Sequence, residues 1–196
     1  MPVNKHQQKT EATRRKLLAA GLRIFARDGF EAARIEDIAA ETGHTRGAFY
    51  AHFDTKEDLF LALLEENASN RLGDLQRRLE KSAGAADRLR ILRKFYLARA
   101  KDAESVLLTL EFKLFALRRP KMRARVAAAH QRIRASLNNE FLVKLLPPRH
   151  NEEAKILFEV VLAGLVLEHA YDPKRITAKQ TTETLGRVFD LLIAAA

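Results

Sequence analysis

The sequence predicts an all-α protein. Three observations carry that prediction. Apolar residues recur three and four positions apart, the spacing of one helix face, and do not alternate as in a half-buried strand. Glycine and proline number only eight and five among 196 residues. No proline falls between Pro2 and Pro120, so the first half of the chain lacks the strongest helix breaker. At this length the chain holds one or two small domains. With 47% apolar and 31% charged residues it can bury a core.

Nine helices follow in order. The first is expected from Thr10 to Arg27, with Leu17, Leu18, Gly21, Ile24 and Phe25 on one stripe and Gly29 as the left-handed stop. A short second helix covers Ile35–Thr42 and ends at Gly43. Thr45 caps a third, Arg46–Phe53. Thr55 caps a long fourth, Lys56–Lys81, with Asp58 completing a capping box. The fifth is expected over Ala86–Lys101. The sixth, Glu104–Leu117, is apolar on two faces (Leu107, Leu110, Leu114 and Leu108, Phe112, Phe115), which predicts burial all round. Pro120 opens the seventh, which runs to Leu146 before Pro147-Pro148 breaks it. Asn151 caps the eighth, and Thr177 with Gln180 forms a capping box for the ninth, Ala178–Ala195. The first three helices pack as a small unit and the rest form a bundle.

Several function classes are excluded. There is no cysteine, hence no disulfide, thiolate metal site or thiol nucleophile. The longest apolar run, Val160–Leu167, is far shorter than the roughly 18 residues of a membrane span. The first ten residues lack the apolar stretch of a signal peptide, so a cytoplasmic location without membrane contact is expected. His6, His44, His52, His130, His150 and His169 stand at unrelated positions. Glycine-rich phosphate loops, nucleophile elbows and paired-carboxylate signatures are absent, so neither enzyme, cofactor nor metal is implied.

The turn Thr42-Gly43-His44 joins two short helices in the manner of a helix-turn-helix, whose second helix projects side chains from its N-terminal half into a major groove. In that second helix Phe49 and Phe53 are four apart and face the core. Arg46, Ala48, Tyr50 and His52 point elsewhere. Arg46 can donate two hydrogen bonds to a guanine edge, and Gly47 would let the backbone approach DNA closely. The hydroxyls of Thr45 and Tyr50 and the ammonium of Lys56 suit phosphates.

The stretch RIEDIAAETGHTRGAFYAHFDTKEDLF resembles the DNA-binding domain of the TetR family of bacterial transcriptional regulators. The resemblance rests on Ile38-Ala39, Gly43, Thr45, Gly47, Tyr50, His52-Phe53, Lys56 and Leu59, with Phe25 and Gly29-Phe30 upstream, and covers about residues 10–62. It implies a helix-turn-helix domain at 1–54 and an effector-binding and dimerisation domain at 55–196. It further implies a homodimer on a pseudo-palindromic double-stranded operator, released by a small effector, and most often a repressor associated with the nucleoid. By likeness Tyr50, His52 and Lys56 take phosphates, while Thr45, Arg46, Gly47 and Ala48 lie nearest the bases. Two positions depart from the pattern. Arg34 stands where a threonine usually caps the second helix, losing the cap at roughly 1 kcal/mol while keeping a cation for phosphate. His44 replaces an apolar turn residue, so either it is partly exposed and joins the DNA contact or the turn packs differently.

Net charge is +10, but residues 1–60 hold ten basic and nine acidic residues. The excess lies in the bundle, in two acid-free runs: six cations over 88–101 and eight over 112–139. A solvated, ion-paired face explains such runs; attraction of an anionic effector, an acidic partner or flanking DNA is the alternative. A generic cationic protein on an acidic membrane or protein surface is the rival to sequence-specific DNA binding. Effector-pocket candidates are Tyr96, Phe112, Phe115 and His130, each equally explicable as core or boundary. With no metal-ligand spacing, the effector would be organic. The dimer seam is expected on helices eight and nine through Val161, Leu165, Leu185, Phe189 and Leu192, unless these helices only cap the bundle core.

Overall fold

The structure is a computed structural model and describes residues 5–137 and 152–194. It contains α1 (Lys5–Asp28), α2 (Ile35–Glu41), α3 (Arg46–Tyr50), α4 (Lys56–Glu80), α5 (Ala85–Ala98), α6 (Ala103–Leu117), α7 (Pro120–Leu137), α8 (Glu152–Tyr171) and α9 (Ala178–Phe189). A 3-10 turn, Arg99–Lys101, follows α5, and a π turn, Asp190–Ala194, continues α9. The described residues are all-α, with nine α-helices and no strand. The expected end of the seventh helix, the Pro147-Pro148 break, His150 and the Asn151 cap lie outside the described residues.

Local chemistry sets most boundaries. Gly29 and Gly43 take φ of 80° and 72°, the left-handed region that a glycine enters without a Cβ penalty, and stop α1 and α2. The Thr45 hydroxyl accepts the Ala48 N–H and opens α3. The Thr177–Gln180 box is complete, each side chain accepting the other's backbone N–H. At Thr55 the hydroxyl accepts the Asp58 N–H at 3.1 Å and donates to the Asp58 carboxylate at 2.6 Å. Most expected bounds move by one to three residues, as where α5 gives way to the 3-10 turn after Ala98, and the α-helical part of α9 ends at Phe189. α1 starts five residues before Thr10, and α3 closes at Tyr50 instead of Phe53.

The chain divides into two compact units, residues 1–68 with 111–132, and residues 69–110 with 133–196. The first has an aromatic heart. Phe30 lies 4.7–5.4 Å from the rings of Phe25, Phe60, Phe112 and Phe115, mostly edge-on, and Phe60 stacks on Phe112 at 4.0 Å. Edge-to-face pairs at this spacing add to area burial. The second unit packs Leu75, Leu79 and Leu92 with Tyr96, Phe158, Leu185 and Phe189. α6 is not buried all round: Phe112 is fully buried, but Leu114 is 62% exposed. No helix among the described residues is long and apolar enough to cross a membrane.

Candidate nucleic-acid interface

The interface is built within the first unit around α2 and α3. Arg34 occupies the N-cap of α2 without a side-chain cap bond, as its chemistry dictates. Glu36 and Asp37 in the first turn offset the loss by meeting the positive end of the helix dipole. At the far end, Thr42, Gly43 and His44 donate their N–H groups to the Ala39 and Ala40 carbonyls at 2.9–3.1 Å. This closes the turn tightly and sets the angle of α3.

His44 Nδ1 donates to the Thr42 carbonyl at 2.8 Å and lies 3.0 Å from the Thr42 hydroxyl. It is half-buried, folded onto its own turn. The turn therefore keeps its form, and His44 remains partly exposed at the edge of the interface.

On α3 the division between core and surface follows the sequence. Phe49 and Phe53 are buried. Thr45, Arg46 and Gly47 are exposed, Tyr50 is 41% exposed, and Ala48 and His52 are intermediate. A Cβ on Gly47 would meet only the Thr45 hydroxyl, at an ordinary 3.7 Å. The fold itself therefore does not require glycine there.

Arg46 is tied down. It donates to Glu36 Oε1 at 2.7 Å and to the Tyr50 hydroxyl at 2.9 Å, with its guanidinium 5.3 Å from the Tyr50 ring centre. Arg34 reaches the same carboxylate at 3.9 Å. Glu36, a residue that spacing did not single out, thus organises both arginines.

Lys56 is placed differently from its expected role. Its ammonium donates to the carbonyls of Phe30, Glu31 and Ala33 at 2.8, 2.7 and 3.1 Å. Those bonds use all three of its protons. Desolvation holds its pKa below the ordinary lysine value. As placed, Lys56 braces the loop before α2 and has no proton left for a phosphate.

The two basic runs separate. In the 112–139 run, Arg119 pairs with Glu31, Arg125 with Asp58 and Arg132 with Glu65, all inside the first unit. Arg119 also lies 3.7 Å over the Phe115 ring. Three of the eight cations of this run thus sit in ion pairs. In the 88–101 run, Arg90 pairs with Asp87, Arg93 with Asp190 and Arg99 with Glu159.

The expected pocket aromatics fall in two different units. Tyr96 is buried in the second unit against Phe158 and Phe189, at 4.7 and 5.7 Å. Phe112 and Phe115 belong to the phenylalanine cluster of the first unit, where half-buried His130 also lies. Burial in the unit cores explains the aromatics. A cavity of about 290 Å³ lies in the second unit, lined from α4, α5 and the 3-10 turn by four cations, two acids and four apolar residues; of the expected pocket residues it includes none.

The expected seam residues also shift. Leu185 and Phe189 are 0% exposed within the single chain and belong to its core. Val161, Leu165 and Leu192 are half-buried against that core. Left exposed on α8 are Ile156, Val160, Leu167 and Tyr171, with Gly164 between them. Spacings of four, four, three and four make them one helical stripe.

Residues 17–63 match the family model described as bacterial regulatory proteins, tetR family. Among curated relatives, the HTH-type transcriptional regulator AcrR of Shigella flexneri is 38% identical over 74 residues, 38% of this chain and 34% of that protein. The HTH-type transcriptional repressor AcnR of Corynebacterium glutamicum is 42% identical over 57 residues, 29% of this chain and 30% of that protein. These matches span about a third of each relative's length. Among solved structures, the fatty acid degradation regulator FadR from Bacillus halodurans aligns over 93% of this chain and 95% of its own. Its TM-score is 0.69 at 19% identity, a likeness of fold across both units. The helix-turn-helix geometry and these matches converge on residues 17–63, which are similar to the DNA-binding segment of the tetR family of bacterial regulatory proteins.

Proposed function

We propose that the protein is a transcriptional regulator that binds a pseudo-palindromic DNA operator as a homodimer and responds to a small organic effector. The observation that carries this reading is α3. It is a capped helix with Phe49 anchored inward, Phe53 buried just beyond its end, and Thr45, Arg46, Gly47 and Tyr50 presented outward. Arg46 is the base reader, bidentate to guanine once it exchanges Glu36 and Tyr50 for the groove. Gly47 and Ala48 allow close approach. Tyr50 and His52 take phosphates, with Arg34 and His44 at the flanks. The exposed stripe on α8 supplies the self-association face, which would set two α3 helices one DNA turn apart, about 34–36 Å. The cytoplasm, beside the nucleoid, is where such a protein works. Repression is the mode favoured by likeness to AcnR, with residues 1–54 as the reading head and 55–196 as the effector and dimer domain.

The test is selection of bound sequences from a random DNA pool. A recovered palindrome whose binding is lost in Arg46→Ala and Tyr50→Ala supports the proposal. Salt-sensitive binding without sequence preference overturns it in favour of a generic cationic protein. A monomer by light scattering at micromolar concentration overturns the dimer.

A further inference from the structure

The cavity of about 290 Å³ in the second unit has a lining of unequal character. Its floor is apolar, made by Leu75, Ile91 and Phe95. Arg71, Arg78, Lys94 and Arg99 surround it, against two acids, Asp74 and Asp102.

Those acids do not balance the cations. Asp74 is already paired with Arg77 and Arg78, at 3.6 and 2.7 Å. Asp102 stands 4.0 Å from Arg71, at the limit of an ion pair and beyond hydrogen-bond reach. Among the described residues Arg71 therefore has no hydrogen bond for its five donors, and Lys94 has neither hydrogen bond nor ion pair.

The arginines are also withdrawn from water. Side-chain exposure is 40% at Arg71 and 25% at Arg99. Burial, then the like charge of Arg71, push the Arg99 guanidinium down to about 10, and burial lowers Arg71 as well. Both guanidiniums line the same half-buried site; Glu159 pairs with Arg99, while Arg71 has only Asp102 at 4.0 Å, which leaves its charge poorly compensated.

We propose that this cavity binds a small amphipathic anion, its carboxylate or phosphate head on Arg71 and Lys94 and its apolar body on Leu75, Ile91 and Phe95. The anion supplies the acceptors that Arg71 lacks, and the floor shields them from water, where charge-assisted hydrogen bonds gain strength. The size suits a short chain or a single ring. This deepens the effector reading by giving that effector a site and a chemical class, and it rests on that reading only for the link to DNA.

Calorimetric titration of the full chain, without DNA, tests it with hexanoate, hexyl phosphate, hexanol and inorganic phosphate. Hexanoate or hexyl phosphate should bind, the tighter of the two naming the head group. Hexanol and inorganic phosphate should each bind about tenfold more weakly or not at all, since each lacks one half of the recognition. Arg71→Gln should weaken binding about tenfold, the worth of a hydrogen bond to a charged group. Lys94→Gln, an exposed position, should weaken it severalfold and serves where Arg71→Gln fails to fold by circular dichroism. Hexanol binding as well as hexanoate, inorganic phosphate binding as well as hexyl phosphate, unchanged affinity in a folded variant, or no binding of either amphiphile overturns the proposal. Binding that leaves operator affinity unchanged supports the site and overturns only the effector role.

Discussion

Glu111 Oε1 accepts the backbone N–H of Phe30 at 2.6 Å, joining residues 81 apart in sequence. The bond depends on Gly29, whose φ of 80° turns the chain after α1; a Cβ there would stand 2.9 Å from the same carboxylate oxygen. Lys56 grips the following carbonyls of the same loop. The loop that leads into α2 is thus held through its donor by α6 and through its acceptors by α4.

Removing the carboxylate exposes the value of that grip. Glu111→Ala leaves a partly buried N–H without its partner, a cost of about 1–3 kcal/mol. At about 2–4 °C per kcal/mol for a chain of this size, the melting temperature should fall by roughly 2–12 °C. Glu111→Gln keeps an acceptor and should lose less. A thermal melt of Glu111→Ala that matches the parent would show that the bond contributes nothing.

Lys56→Met separates bracing from phosphate contact. With its protons spent on three carbonyls, its loss should lower the melting temperature and leave the salt dependence of DNA binding unchanged. Anisotropy titrations across a salt series read the second quantity. A slope smaller by about one ion would mean that Lys56 neutralises a phosphate after all.

At Gly47 the two demands point in opposite directions. The fold has room for a methyl group, and alanine favours the helix by about 0.5–1 kcal/mol. Gly47→Ala should therefore melt at the same temperature or higher while its affinity for the selected operator falls. An unaffected affinity would remove Gly47 from the interface.

Thr181 carries a buried hydroxyl with no hydrogen-bond partner among the described residues, in the otherwise apolar inner face of α9. An unsatisfied buried hydroxyl costs about 1–3 kcal/mol, and valine has nearly the same shape without it. Thr181→Val should raise the melting temperature by a few degrees, measured by calorimetry. A lower value would show that the hydroxyl is satisfied in solution.

The sequence by itself determined the helices, their caps at Thr45 and Thr177, their stops at Gly29 and Gly43, and the inward faces of α3. Each is a contest within one or two helical turns, among backbone donors, a hydroxyl or a missing Cβ, so neighbouring residues contain all the terms. The outward group Arg46, Gly47 and Tyr50 was legible for the same reason, because fixing Phe49 and Phe53 inward places them.

Only the tertiary structure decided where long side chains end. Lys56 turned to a loop more than twenty residues upstream, Arg125 and Arg132 found acids 67 residues away, and Leu185 and Phe189 went to the core rather than a seam. Periodicity tells which face of a helix is apolar but not which apolar partner covers it, and a cation's spacing does not name its acid. The cavity around Arg71 is of this kind. Its charge imbalance arises because Asp74 is shared between Arg78 and Arg77 and Asp102 stands beyond hydrogen-bond reach of Arg71, a matter of ångströms that no spacing along the chain encodes.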